Sequence, residues 1–327
     1  MLDFSPQYST SKIADIESFI DRNYDLDGPV SCRLLQRGFN DVYLATDPAG
    51  ARYVFRLSHH RARGPADVRS ETAFLKHLVD FGVPVAAPIP TRHGALFIEG
   101  QAAEGLRQGL LLRAVGGRDV DPGSAADARA NGKTLALLHR AAEAFQPGDI
   151  RYRLDLDHLL LRPLARIRDS GLVEDLQVLD RLEGIANRTA ASIEAMDDLA
   201  WTYCHGDCHG FNARIDDAGE AVFFDFDDSG PGYLAYDLAV FLWAKVSFGR
   251  ELTAMWHEFL DAYQEVRKVA QVDLTAVPHF VIIRHFWLMG EYASRAHEWG
   301  CNSVGWVAGE VDTLTRWETE HLALPAR

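Results

Sequence analysis

The segment from Cys204 to Asp228 constrains the fold of this chain more than any other stretch. It holds Asp207 within His-Gly-Asp, Asn212 five residues later, and Asp225 eighteen residues after Asp207, within Phe-Phe-Asp-Phe-Asp-Asp. A phosphoryl-transfer site needs an acceptor that orients the attacking hydroxyl and oxygen ligands that hold Mg²⁺ on the phosphates. Asp207 suits the first task, while Asn212 and Asp225 supply the hard oxygen ligands that Mg²⁺ prefers. The spacing therefore predicts a phosphotransfer site.

The same segment admits other interpretations. Taken alone, Asp207 could cap a turn, because aspartate readily bonds nearby backbone amides. Two cysteines and two histidines within six residues also invite a zinc interpretation: Cys204, His205, Cys208 and His209. No second pair of Cys or His at knuckle spacing follows them in the sequence, so zinc is the weaker interpretation.

The two motifs together resemble the aminoglycoside phosphotransferase and choline kinase superfamily. The run His-Gly-Asp-Cys-His-Gly-Phe-Asn, followed by Phe-Phe-Asp-Phe-Asp-Asp, carries this resemblance, with homoserine kinases and a bacterial stress-response kinase group nearest in character. The resemblance implies a protein-kinase-like α+β fold with a small antiparallel-sheet N-terminal lobe and a mainly α-helical C-terminal lobe. It also implies that Asp207 is catalytic, that Asn212 and Asp225 bind the metal, and that His205 and His209 shape the loop.

Hydrophobic patterning in the first third of the chain agrees with such a small lobe. A helix over 12–23, capped by Ser11, precedes short β-rich segments that turn residues separate. The predicted strands are 30–35, 41–46, 52–57, 95–99 and 109–114, with a helix over 69–81 between the third and fourth. This order of strands and helix matches the small lobe that the resemblance implies.

The predicted boundary between the lobes falls at Val115-Gly116-Gly117, where a strand ends in a flexible glycine pair. Residues 1–115 would form the nucleotide-binding lobe, and residues 116–327 the catalytic and substrate-binding lobe. By the resemblance, this segment is a hinge, and adenine lies between Leu112 and Val115. Helical patterns beyond it predict helices over 126–145, 159–167, 172–196, 236–248, 253–266 and 277–299.

Phosphate binding in the small lobe departs from the family pattern at two places. The loop between the first two strands contains one glycine, Gly38, followed by Asn40; it could cradle phosphate with backbone amides or be a simple hairpin turn. The third strand carries Arg56 where the family usually has lysine, and Glu71 is its expected partner. Arginine can bind phosphate bidentately, but it does not replace lysine directly. A solvent-facing arginine is the alternative interpretation.

Substrate selection is predicted to lie in the C-terminal helices, which contain six of the seven tryptophans. Most of these rings are expected to be plain helix core. Trp287 and Glu291, four residues apart and so on one helical face, are the candidates for pocket lining, since an aromatic ring and a carboxylate together bind amines. Asp227 could line the same pocket, or it could form a solvated turn with Asp228.

Composition limits the partners. The net charge of −14 argues against nucleic acid and anionic membranes, because both reward a basic face, and it favours a cationic substrate. Four cysteines without a disulfide framework indicate a reducing compartment. The first residues lack the features of a signal peptide, and no run of 18 apolar residues occurs, so we predict a cytoplasmic protein.

The sequence therefore predicts an ATP- and Mg²⁺-dependent phosphotransferase, with GTP as the alternative nucleotide. Its acceptor would be a hydroxyl on a small polar, amine-bearing molecule. Within the same fold, Asp225-Phe226-Asp227-Asp228 leaves open a protein serine/threonine kinase of the stress-response type. From a different class, Arg56 and the glycine-poor loop leave open a weakly catalytic nucleotide-binding module that regulates a partner.

Overall fold

The computed structural model describes residues 6–59, 64–148 and 152–320. The chain forms two compact units, neither of which is continuous in sequence. The first unit takes the described residues of Met1–Arg118, Ala144–Arg151 and Arg214–Asp227, and the second takes those of Asp119–Glu143, Tyr152–Ala213 and Asp228–Arg327. The predicted lobe boundary at Val115-Gly116-Gly117 stays a prediction.

The first unit is built on a five-stranded antiparallel sheet with strand order β1-β2-β3-β5-β4. Its elements are α1 (Ile13–Asn23), β1 (Ser31–Arg37), β2 (Asn40–Thr46), β3 (Arg52–Ser58), α2 (Pro65–Asp80), β4 (Ile98–Ala102) and β5 (Gly105–Arg113). Ile16 and Ile20 of α1 join a buried cluster with Tyr43, Phe55 and Leu111 of the sheet. The predicted order of strands and helix is confirmed.

Two helix starts differ from prediction. Helix α1 begins after Lys12, whose side chain makes no capping hydrogen bond, so the predicted cap at Ser11 is wrong. Helix α2 begins at Pro65, four residues earlier than predicted, because proline is pre-organised for the first turn and gives up an N–H that would be unbonded there anyway.

The remaining chain is mainly helical, which confirms the predicted α+β fold. Its strands are β6 (Arg118–Asp119), β7 (Trp201–Cys204), β8 (Ala213–Ile215), β9 (Ala221–Phe223) and β10 (Gly230–Tyr233). Its α-helices are α3 (Ala125–Ala142), α4 (Arg162–Asp169), α5 (Leu176–Glu194), α6 (Leu234–Val246), α7 (Thr253–Val266), α8 (Gln271–Ala293), α9 (Ala296–Trp299), α10 (Cys301–Val304) and α11 (Val311–Thr319). Among the described residues, no helix combines the length and apolarity that crossing a membrane requires.

The bounds of helix α8 differ from those that hydrophobic periodicity predicts. It starts at Gln271 rather than 277 and ends at Ala293, so the predicted single helix over 277–299 is wrong at both ends. Pro278 lies inside the helix, where its ring and missing N–H argue against helix from sequence alone. Tertiary packing outweighs that local cost, because most residues of α8 from Ala276 onward are buried.

Helices α3 and α7 pack closely because a glycine permits it. A Cβ added at Gly132 of α3 would lie 2.1 Å from the backbone oxygen of Phe259 on α7.

We expect Gly132→Ala to lower the free energy of unfolding by about 1–3 kcal/mol, since one helix must shift. Denaturant unfolding measures this. The control is Gly184→Ala in α5, where the new methyl meets only the flexible end of Arg188; equal losses in both variants would contradict the packing argument.

Candidate active site

A tight turn carries His205-Gly206-Asp207 in the second unit. Strand β7 ends at Cys204, and the chain turns through Gly206, whose φ of +84° is a conformation that glycine adopts without strain. A Cβ at Gly206 would also lie 2.2 Å from the backbone oxygen of Asp228. Both facts require glycine before Asp207. The His-Gly-Asp sequence is thus fixed partly by backbone geometry.

Asp237, near the start of α6, anchors this turn by accepting hydrogen bonds from its backbone. Its fully buried carboxylate accepts hydrogen bonds from the backbone N–H of His205 at 2.6 Å and of Gly206 at 2.8 Å. His139 of α3 reaches the same carboxylate through Nε2 at 3.0 Å. Burial works against the charged form, but the bonds from His139 and the backbone outweigh it and hold the pKa of Asp237 below its ordinary value.

Sequence reasoning missed Asp237, although a signal was present. It is the one acid in Leu234–Val246, a helix whose other residues are apolar apart from Tyr236 and Lys245. An isolated carboxylate in a helix that is buried all round must find hydrogen-bond donors, which is an argument available from sequence.

The structure brings Asp207 and Asn212 together, as their spacing predicts. Asn212 Nδ2 donates to the Asp207 carboxylate at 2.9 Å and to the Asp207 backbone oxygen at 3.0 Å. Because its nitrogen is used in this way, the Asn212 side-chain oxygen is the atom left for a metal ion. The Asp207 side chain is 17% exposed. The catalytic role of Asp207 and the metal role of Asn212 stay predictions.

A second partner of Asp207 was not foreseen. Arg284, on α8, donates from Nη2 to Asp207 Oδ1. The Asp207 carboxylate is therefore bonded on one oxygen by Arg284 and on the other by Asn212. Arg284 is the only arginine in an otherwise largely apolar helix, but nothing in the sequence indicates which carboxylate it meets 77 residues away.

The two cysteines of the motif are buried and hydrogen-bonded. Cys204 Sγ, His139 and Asp237 have potential ligand atoms within 4.8 Å of one another. However, the Cys204 thiol bonds the Tyr233 carbonyl, and the Cys208 thiol bonds the Asp237 carbonyl at 3.0 Å. Burial raises the pKa of both thiols well above its ordinary value. Since zinc binds thiolate, this environment disfavours the zinc interpretation.

Arg56 of β3 lies inside the first unit, with 3% of its side chain exposed. It donates to Glu71 of α2 at 2.5 Å, so the predicted ion pair is confirmed and the solvent-facing interpretation is wrong. Its Nη1 lies 3.8 Å from Asp225 Oδ1. Burial alone would lower the pKa of Arg56, but Glu71 and Asp227 raise it above its ordinary value, so the guanidinium stays charged.

Arg56 also has unused hydrogen-bonding capacity. Its Nε and Nη1 are buried, and neither donates a hydrogen bond to any described residue. A buried donor without an acceptor costs free energy, and such groups in native proteins call for an explanation. Phosphate oxygens fit these donors, because a guanidinium binds phosphate bidentately. The nucleotide roles predicted for Arg56 and Glu71 are therefore chemically suitable and stay predictions.

Asp225 lies in a turn that follows a short strand. Strand β9 ends at Phe223, and Asp225 has φ of +65° with 44% of its side chain exposed. A left-handed conformation outside glycine is uncommon and often accompanies function, although aspartate tolerates it better than most residues. An exposed carboxylate on a fixed turn is suitable for holding Mg²⁺.

Asn40 and Asp227 meet in the first unit. Asn40 Nδ2 donates to Asp227 Oδ2 at 2.7 Å, and both side chains are buried, so the solvated-turn interpretation of Asp227 is wrong. Gly38 lies in the β1–β2 turn, where its N–H bonds the Asn40 carbonyl at 3.1 Å. The predicted nucleotide roles of Gly38 and Asn40, and the substrate role of Asp227, stay predictions.

The other residues predicted to contact adenine or substrate are packed against, or paired with, residues of the protein itself. Leu112 is buried in β5 opposite Val54, and Val115 follows the end of that strand. Trp287 is buried with its ring centroid 4.3 Å from the Arg284 guanidinium carbon, while Glu291 is paired with Arg166. Their adenine and substrate roles stay predictions. As expected, most of the six later tryptophans are buried: Trp243, Trp256, Trp287 and Trp317.

Comparison with known proteins shows the family. The sequence model of the phosphotransferase enzyme family matches residues 31–272. An uncharacterized protein of Deinococcus radiodurans is 40% identical over 313 residues, which cover 94% of this chain and 90% of that protein. The chain therefore belongs to the phosphotransferase enzyme family, and its chemical class is phosphoryl transfer.

Two further proteins similar to this chain have names that state an activity. The homoserine kinase of Caulobacter vibrioides is 26% identical over 307 residues, 92% of each chain. A microcompartment-associated aminopropanol kinase of known structure superposes with a TM-score of 0.77 at 22% identity, covering 96% of this chain and 99% of that one. At this identity, the structural likeness shows the fold, which is the kinase-like fold that the sequence predicts.

The anchoring of the turn by Asp237 can be tested through stability. Asp237→Asn turns an amide group toward backbone donors and His139, so we expect a loss of about 3 kcal/mol at neutral pH. Because the pKa of Asp237 is lowered in the folded state, its contribution is present above the unfolded value near pH 4 and is lost as pH falls through the folded value. Urea unfolding at pH 7 and near pH 3 measures this.

Asp312→Asn is the matched control, since Asp312 forms an exposed ion pair with Arg181. Its effect should stay within about 0.5 kcal/mol. A cost for Asp237→Asn that was equally small at pH 7, or that grew on acidification, would contradict the anchoring role.

Proposed function

We propose that this protein is an ATP- and Mg²⁺-dependent phosphotransferase whose acceptor is a hydroxyl on a small polar, amine-bearing molecule. The observation that carries the proposal is the fixed Asp207 carboxylate, bonded to Asn212 within the turn that Asp237 anchors. GTP is the alternative nucleotide. A cytoplasmic location stays a prediction.

In this proposal, the Asp207 carboxylate accepts a hydrogen bond from the attacking hydroxyl, takes up its proton, and directs the hydroxyl oxygen in line with the γ-phosphorus. The bond from this oxygen to the γ-phosphorus forms as the bond from the γ-phosphorus to the bridging oxygen breaks, and the nucleoside diphosphate leaves. Little covalent chemistry is required of the protein, so positioning and charge compensation supply most of the rate. Asn212 and Asp225 would hold Mg²⁺, which when bound compensates charge on the phosphate oxygens. Both offer oxygen donors, the ligand type that this ion prefers.

Arg56 would bind phosphate oxygens of the nucleotide. Support comes from its buried Nε and Nη1 atoms, which make no hydrogen bond to the described part of the chain, and from Glu71, which fixes the guanidinium. Gly38 and Asn40 would border the phosphates, and Leu112 and Val115 the adenine.

An amine on the acceptor is supported by the net charge of −14 and by the names of two relatives, a homoserine kinase and an aminopropanol kinase. Asp227, Trp287 and Glu291 remain the candidate substrate contacts. Since Asp227 is bonded to Asn40 and Glu291 is paired with Arg166, an amine would have to share or displace these partners.

A nucleotide-consumption screen tests the proposal. Purified protein with Mg²⁺ and ATP or GTP is offered amino alcohols, homoserine, aminoglycosides, nucleosides and unfolded protein, and phosphorylated products are identified by mass. Phosphorylation of an amine-bearing hydroxyl compound is expected. Phosphate on serine or threonine of the protein substrate alone, or binding of nucleotide with no transfer to any acceptor, would contradict the proposal.

Two substitutions separate the roles of the acids. Asp207→Asn should keep nucleotide affinity while kcat falls by about 10²-fold or more, because a carboxylate that positions and accepts is lost. Asp225→Ala should instead raise the concentration of Mg²⁺ needed for half-maximal nucleotide binding. Calorimetric titration and steady-state kinetics measure both; near-normal turnover in both variants would remove these assignments.

Arg56 gives a separate prediction about nucleotide. Arg56→Ala should raise the KM for ATP by about tenfold, since charge-assisted hydrogen bonds to phosphate are lost. Arg56→Lys should also lose activity, because an ammonium cannot reproduce the bidentate grip. Arg52→Ala, at an exposed position on the same strand, is the control and should leave the KM unchanged. An unchanged KM for ATP in both Arg56 variants would exclude phosphate binding by this residue.

A further inference from the structure

The contacts of Arg284 set it apart from the other side chains of α8. Only 3% of its side chain is exposed, and its Nη2 donates to Asp207 Oδ1. Its Nη1 donates to the hydroxyl of Tyr236 at 3.3 Å. Two aromatic rings flank the guanidinium carbon, at 4.3 Å from the Trp287 centroid and 5.1 Å from the Trp243 centroid. Arg284 is therefore held by α6 and by its own helix.

The guanidinium stays charged in this surrounding. Burial by itself would lower the pKa of Arg284, but the Asp207 carboxylate and Tyr236 outweigh it and raise the pKa above its ordinary value. A buried arginine between indole faces also keeps favourable cation–π contacts while its fork remains available for a carboxylate.

The pairing determines how the Asp207 carboxylate is oriented. Rotation about the last bond of an aspartate side chain is broad and roughly two-fold, so one hydrogen bond does not fix it. Asn212 bonds Oδ2 from within the turn, and Arg284 bonds Oδ1 from a separate helix. Each oxygen of a carboxylate can accept a second hydrogen bond, so both retain capacity for a substrate hydroxyl.

We propose that Arg284 is a positioning residue of the phosphotransfer reaction, clamped by Trp243 and Trp287 so that it holds the Asp207 carboxylate in the orientation that accepts the attacking hydroxyl. This inference rests on the proposed function. It gives Arg284 a role in the rate of transfer without contact to nucleotide, and it explains why Trp287 is buried against a guanidinium.

A purely structural role is the competing account, because breaking any buried ion pair destabilises a protein. The two accounts differ in what happens when Asp207 is already disabled. If Arg284 acts through Asp207, its loss costs turnover only while the carboxylate is present, so the effects of the two substitutions on kcat do not add. If Arg284 only supports the fold, its loss lowers the active fraction equally in both backgrounds.

The test is a double-substitution cycle with Arg284→Gln and Asp207→Asn, singly and together, measuring kcat, the KM for ATP and thermal unfolding. We expect Arg284→Gln to lower kcat by about 10²-fold, as a displacement of about 1 Å at a reacting group can. The KM for ATP should stay within about twofold. In the Asp207→Asn background, Arg284→Gln should lower kcat by no more than about twofold further. Arg284→Lys, which keeps a charged donor but not the planar fork, should be intermediate.

Arg295→Gln is the matched control, because Arg295 is also buried and paired, with Glu298. It should destabilise the protein yet leave kcat per folded molecule unchanged. Additive losses in the cycle, or a fall in kcat that merely follows the unfolded fraction, would overturn the inference while the proposed function stands. If the unsubstituted protein transfers phosphate to no acceptor, the proposed function fails, and the role of Arg284 fails with it.

Discussion

The hydrogen bonds from two consecutive backbone N–H groups to Asp237 hold the turn that carries Asp207 in place. Gly206 has a positive φ and no room for a Cβ, so the turn is both unusual and closely packed. Such a turn needs acceptors for its buried amides, because an unbonded amide in the core is costly. Asp237 provides them and draws in His139, which links α3 and α6 to the same few atoms. The position of Asp207 follows from this arrangement.

Two of the buried arginines each hold a carboxylate of the candidate site, and each pair lies within one unit. Arg284 is paired with Asp207, and Arg56 with Glu71. A buried ion pair contributes little net stability, because desolvation of both charges offsets their attraction. In both cases the guanidinium fixes a carboxylate, and at Arg56 further donors remain for an anionic ligand.

Local patterns were enough to predict much of the fold and part of the site. The order of strands and helix along the first unit and the meeting of Asp207 with Asn212 follow from short-range patterns. The Arg56–Glu71 pair is what the family resemblance implies, and it is present. Asp237 and Arg284 could not be placed in the same way, since their partners lie 31 and 77 residues away and depend on helix packing. The predicted start of α8 was wrong because it also depends on helix packing, where burial outweighs the local cost of Pro278.

The two acids around Arg56, Glu71 and Asp225, differ in burial and in distance from its guanidinium. Glu71 is buried and bonded at 2.5 Å, so the departure of Arg56 would leave a buried carboxylate without its ion-pair partner, at high cost. Asp225 is partly exposed and 3.8 Å away, where an ion pair is weak and solvent replaces it easily. Its turn begins where β9 ends at Phe223, whose backbone bonds Pro84 and Ala86. Of the two acids, Asp225 is thus the one whose contact with Arg56 could give way to the Mg²⁺ ion of the proposed function, while Glu71 keeps the guanidinium in place.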